Sequence, residues 1–144
     1  AATETITSIV DANDDRFLAP QNMTAEVQAA CRESGQKVPE GIYQVAAVIY
    51  NSLAKCYADT VREIEKIEHV TYPCINIVGG GANAAYLNEL TAKATGKTVY
   101  AGPTEATAIG NIMAQMIAAG ELQDLAEARK CVFHSFEIKE EKGC

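Results

Sequence analysis

Three consecutive glycines, Gly79, Gly80 and Gly81, interrupt the stretch IVGGGANAAYLNEL between an apolar run and a helix-forming one. Glycine weakens a strand before it and a helix after it, so such a turn implies that something there needs bare backbone. The chain on either side must deliver a strand into that turn and carry a helix away from it.

The flanking pattern meets that demand. CINIV, after Pro73, is rich in β-branched residues and bounded by breakers, which suits a strand buried on both faces. NAAYLNELTAKAT then reads as a helix with Leu87, Leu90 and Ala94 inward, and Gly96 stands where a left-handed stop belongs. KTVYAG is a second strand, and Thr104 is placed to cap a helix through EATAIGNIMAQMIAAG that Gly120 ends. Upstream, Ile42 to Ile67 keeps a helical apolar period through Val45, Val48, Ile49, Leu53, Cys56, Val61 and Ile64. The order helix, strand, helix, strand, helix predicts an α/β fold with parallel strands and a right-handed crossover. Two parallel strands do not complete a sheet, so further strands are expected either within residues 1–40 or, the preferred reading, in sequence preceding Ala1.

Three segments follow from the pattern. Residues 1–40 form an irregular lead-in with a short helix starting after Asn22, residues 41–125 carry the glycine turn, and residues 126–144 are a tail that begins helical and becomes charged. Asp11, Asp14 and Asp15 lack calcium-loop spacing and read as a solvated turn. His69 closes a helix, and His134 in FHSF reads as packed or capping. Arg129 and Lys130 read as surface residues.

A glycine turn at the carboxyl end of a parallel strand lets a ligand approach the main chain, and the following helix offers free N–H groups and a positive dipole end. Both suit a nucleotide. A tight turn packed on another backbone explains the glycines alone equally well. Gly79, Gly81 and Ala84 satisfy the loose dinucleotide pattern GxGxxA, yet KTVYAG ends without the acidic residue that would hold a ribose hydroxyl, and no Lys-Ser/Thr pair makes a phosphate loop. In GPTEATAIGN the small residues Ala106, Ala108 and Gly110 form a face that can press on a neighbour, although Gly110 costs about 1 kcal/mol against alanine within a helix.

The net charge of -7 gives no reason to expect nucleic acid, and any phosphate must be held by local dipoles rather than by the overall field. No apolar stretch reaches the roughly 18 residues that cross a bilayer, which predicts no membrane partner and a cytoplasmic chain. Five cysteines, Cys31, Cys56, Cys74, Cys131 and Cys144, have no CxxC pair and read as buried or incidental thiols, with no metal site.

Taken together, IVGGGANAAYLNELTAKATGKTVYAGPTEATAIGNI, with DDRFLAP, QAACRESGQKVPE and SLAKCYAD upstream, resembles the C-terminal domain of the FGGY carbohydrate kinases across roughly residues 11 to 125. The resemblance implies part of an actin-like, ribonuclease-H-like ATPase domain that closes with a second domain around sugar and ATP. It implies transfer of the γ-phosphoryl of Mg2+-ATP to a sugar hydroxyl, with L-rhamnulose the implied sugar and xylulose, glycerol or fuculose the alternatives within the family. A module that has kept the fold and lost the chemistry is the alternative of a different class. Gly80 matches the position whose backbone lies against the nucleotide, flanked by Gly79 and Gly81. Related kinases often carry Asn at the position of Ala84, where it can reach adenine or ribose, whereas this chain has Asn83.

The family's catalytic aspartate belongs to an upstream motif that does not occur in this sequence, so no catalytic residue is expected here. The chain then reads as the last third or so of the enzyme, inactive alone. Its unpaired strand edge is expected to drive self-association.

Overall fold

The computed structural model describes residues 5–143. Cys144 and the first four residues of the lead-in lie outside the described residues. The chain divides into two compact units, residues 1–71 and 72–144.

In the first unit, helix α1 (Met23–Glu33) starts where expected, because Asn22 Oδ1 accepts the Ala25 N–H at 3.1 Å. Helix α2 (Gly41–Glu68) ends on His69, left-handed at φ 55, whose N–H donates to the Glu65 carbonyl. Ile6, Val27, Cys31, Val45, Ala47 and Val48 form the core between α1 and α2. That core is gathered on the first half of α2, so Ile64 and Ile67 are 45% and 66% exposed, against the inward placing their period suggested. Burial pushes the Cys31 thiol above its ordinary value, which keeps it protonated and inert. The aspartate turn is built from its own backbone: Asp11 Oδ1 accepts from the Asn13 N–H and Asp14 Oδ1 from the Arg16 N–H, each at 2.9 Å.

The second unit holds the sheet. Strands β1 (Cys74–Ile77) and β2 (Thr98–Ala101) pair in parallel, from Cys74 opposite Thr98 to Ile77 opposite Ala101. Helix α3 (Ala85–Thr95) connects them and stops on Gly96 at φ 66. Helices α4 (Ala106–Ala118) and α5 (Leu125–Ser135) follow. The sheet then gains a strand beyond the expected pair. Residues Lys139–Glu141, read from the sequence as charged tail, form β3 and run antiparallel on β2, in the order β1-β2-β3. Lys139 and Glu140 are exposed on this short edge strand, where charge is ordinary, so no apolar alternation marks it.

Two helix faces also differ from their sequence reading. The inward side of α3 is Asn88, Thr91 and Ala92, with Leu87 and Leu90 half-buried and Ala94 exposed. At its end the C-terminal segment crosses so closely that a Cβ on Gly143 would stand 2.6 Å from the Ala92 carbonyl oxygen. On α4, Ile109 is buried while Ala108 and Gly110 are exposed, and a Cβ on Gly110 would meet nothing within 4 Å. Of the small-residue face, Ala106 is half-buried, while Ala108 and Gly110 are exposed. No helix among them is long and apolar enough to cross a membrane.

Gly102 locks the tail to the sheet. Its φ is 130, and a Cβ there would stand 2.7 Å from the Glu137 carbonyl oxygen. Gly102→Ala should lower stability by about 2 kcal/mol or more, because backbone strain and a main-chain clash act together. Gly35→Ala, at φ 68 with open space around its Cβ, should cost only about 1 kcal/mol. Equal shifts of the denaturant midpoint for the two variants would show that the tail does not pass beside Gly102.

Candidate functional site

The parallel ladder brings two loops side by side at the carboxyl ends of β1 and β2. Gly102 N–H donates to the Ile77 carbonyl at 2.9 Å, continuing the strand pairing, and Gly79 N–H donates to the Pro103 carbonyl at 3.1 Å. The peptide between Gly102 and Pro103 is cis. Glycine turn and β2–α4 loop are thus one stitched surface rather than two independent loops.

Gly79–Asn83 forms a 3-10 turn, and α3 begins only at Ala85, later than the helix expected from Asn83. Ala84, at φ -85 and ψ 63, breaks the helical path between them, and its N–H donates to the Gly81 carbonyl at 3.1 Å. Ala84 caps α3 without any side-chain hydrogen bond. The first-turn N–H groups of α3 are therefore left without a side-chain acceptor at that cap.

The three glycines stand in different conditions. Gly79 has φ 74, a left-handed conformation that glycine adopts without penalty. Gly81 would place a Cβ 3.5 Å from Ile77 Cγ2, an ordinary contact. Gly80 has no positive φ, is exposed, and would place a Cβ with nothing within 4 Å. Among the described residues, neither backbone geometry nor packing requires a glycine at position 80.

Asn83, at the end of the turn, is exposed and accepts at Oδ1 from the Thr104 hydroxyl at 3.3 Å. Thr104 does not cap α4 as its position suggested. Glu105 occupies the N-cap, with no side-chain cap, and the threonine hydroxyl is engaged across the loops.

Sequence reasoning missed Asn88. It is 2% exposed, and its Nδ2 donates to the Ala82 carbonyl at 3.1 Å, tying the glycine turn to α3. An asparagine in mid-helix, a residue that normally prefers caps and turns, is the signal that marks it. Other candidates lie apart from the turn in sequence and role. His69 ends α2, His134 is exposed and meets Phe133 edge-on at 6.2 Å, and Arg129 and Lys130 are exposed on α5. Cys31, Cys56, Cys74 and Cys131 are free thiols. Among the described residues no group of three His, Cys, Asp or Glu side chains is placed to hold a metal ion.

The family model for the C-terminal domain of the FGGY family of carbohydrate kinases matches residues 1–119. The rhamnulokinase of Oceanobacillus iheyensis is 45% identical over 138 residues, covering 96% of this chain and 29% of that protein. Those of Halalkalibacterium halodurans and Bacillus subtilis are 48% and 47% identical, covering 92% and 95% of this chain and 28% of each relative. The chain thus spans well under a third of the length of the relatives it matches.

Asn88→Ala should remove the anchor of the glycine turn and leave the Ala82 carbonyl without it, costing about 1 to 3 kcal/mol. The same variant should speed hydrogen exchange at the Ala84 amide, which closes the turn. Wild-type exchange at that amide would mean that the turn stands without Asn88.

Proposed function

The chain belongs to the FGGY family of carbohydrate kinases, as a portion of its C-terminal domain in the actin-like ATPase fold, and from this premise we propose that its glycine turn holds the nucleotide of an ATP-dependent sugar kinase. The reaction of the whole enzyme is transfer of the γ-phosphoryl of ATP to L-rhamnulose, giving L-rhamnulose 1-phosphate in the cytoplasm. The names of three relatives support that choice of sugar.

One observation carries the nucleotide reading. Gly80 is exposed and nothing among the described residues lies within 4 Å of its Cβ position, which leaves its peptide open to a ligand. A flat, electron-rich group can lie flush on the peptide there. Phosphates need donors in a chain of net charge -7, and the first turn of α3, with no side-chain cap, supplies N–H groups and the positive end of the helix dipole. Gly79 aligns the turn, Gly81 keeps it slim, and Asn83 offers a side-chain contact.

Phosphoryl transfer otherwise asks for positioning, a metal and a base for the hydroxyl proton. Gly79–Asn83 contains no carboxylate or imidazole. The chain's own contribution is binding and orientation of the nucleotide. Self-association through the open edge of β1 accompanies this reading, since among the described residues β2 is flanked on both sides and β1 has one neighbour.

Gly80→Ala tests the reading directly. Stability should stay within about 0.5 kcal/mol of wild type. The affinity for ATP should fall roughly tenfold, as expected when a methyl group lifts a ligand off its contact surface. Unchanged affinity would contradict the nucleotide reading. Purified residues 1–144 should consume no ATP with L-rhamnulose, and rhamnulose-dependent turnover would overturn the assignment of binding without catalysis.

A further inference from the structure

The hydrogen bond between Thr104 and Asn83 joins residues 21 positions apart at the rim of the glycine turn. A threonine just before a helix ordinarily satisfies the helix's own N–H groups. Here the hydroxyl points across to the neighbouring loop while α4 goes without a side-chain cap. Thr104 stands one residue before the N-cap Glu105, and the hydrogen bond of its hydroxyl runs across the loops.

The turn's geometry says what that engagement serves. In a 3-10 helix, residues three apart eclipse one another. Gly80 and Asn83 therefore share one face of the Gly79–Asn83 turn, and both are exposed, whereas Ala82 is buried at 6%. A group lying on Gly80 meets the carboxamide of Asn83 next. A free asparagine would turn either its oxygen or its nitrogen toward that group. Because the Thr104 hydroxyl donates to Oδ1, the remaining polar atom is Nδ2, which has no partner among the described residues.

We propose that Thr104 is a positioning residue of the nucleotide site, fixing the Asn83 carboxamide so that Nδ2 donates to an acceptor on the nucleoside. The inference rests on the nucleotide reading of Gly80 and adds what that reading does not contain: a residue of the β2–α4 loop and a defined polarity. The acceptor is a ring nitrogen of the base or a ribose oxygen, and both demand a donor.

The test is a titration of the purified protein with ATP and with 2′-deoxy-ATP, read from the amide shifts of Gly80 and Gly81, alongside thermal melting. Asn83→Ala and Thr104→Val should each weaken ATP binding about threefold to tenfold with wild-type melting. Thr104→Ser, which keeps the hydroxyl, should restore wild-type affinity. The double variant should bind no more weakly than Asn83→Ala alone, since Thr104 acts only through Asn83. A Thr104→Val loss seen with ATP and absent with 2′-deoxy-ATP assigns the acceptor to the ribose hydroxyl, and an equal loss assigns it elsewhere on the nucleoside; either supports the proposal. Wild-type affinity in Thr104→Val, or no recovery in Thr104→Ser, overturns it. A wild-type protein whose Gly80 and Gly81 amides ignore ATP instead overturns the nucleotide reading beneath it.

Discussion

The parallel pairing of β1 with β2 is the constraint on which the rest of the site depends. Four residue pairs set the register, and the hydrogen bonds continue past the strands, from Gly102 to Ile77 and from Gly79 to Pro103. A slip of one residue would exchange the faces of every side chain and separate the two loops. With the register as it is, the loop after each strand becomes the wall of the other. α3 is tied in from behind through Asn88, and the tail from the far side through β3 and Gly102. The site is therefore held by main chain from several elements rather than by a few long side chains.

That construction explains why small residues concentrate there without serving one purpose. Gly79 answers a backbone conformation, Gly102 answers both a backbone conformation and a neighbouring carbonyl, and Gly80 answers neither. The distinction separates glycines that the fold itself requires from one that it does not. With a net charge of -7, the overall field of the chain does not favour an anion, so the proposed nucleotide would depend on peptide dipoles.

Much of the second unit was legible in the sequence because its signals are local. The β-branched run after Pro73, the Gly96 stop and the helix–strand alternation each specify short-range geometry, and the parallel pair followed from them. The Asn22 cap of α1 was readable for the same reason. What escaped depends on contacts distant in sequence. β3 is a charged edge strand with no periodic signature, and Ala94 is exposed while the polar Asn88 and Thr91 are buried with Ala92, Asn88 being held by the Ala82 carbonyl. Thr104 looked like a cap by position, yet its partner lies across the ladder at Asn83. In the site, sequence marked the glycines and Asn83 as candidates. It did not distinguish a glycine needed for φ from one needed for empty space, since that difference exists only in three dimensions.

The account's central claim is that bare peptide at Gly80 is a surface for adenosine phosphate. The most direct measurement is an ATP titration of the protein followed residue by residue through its backbone amides. The account predicts saturable shifts concentrated on Gly79 to Ala84 and on Thr104, with the core amides of α1 and α2 unmoved. Shifts centred elsewhere, with Gly79 to Ala84 unchanged at saturating ATP, would contradict it.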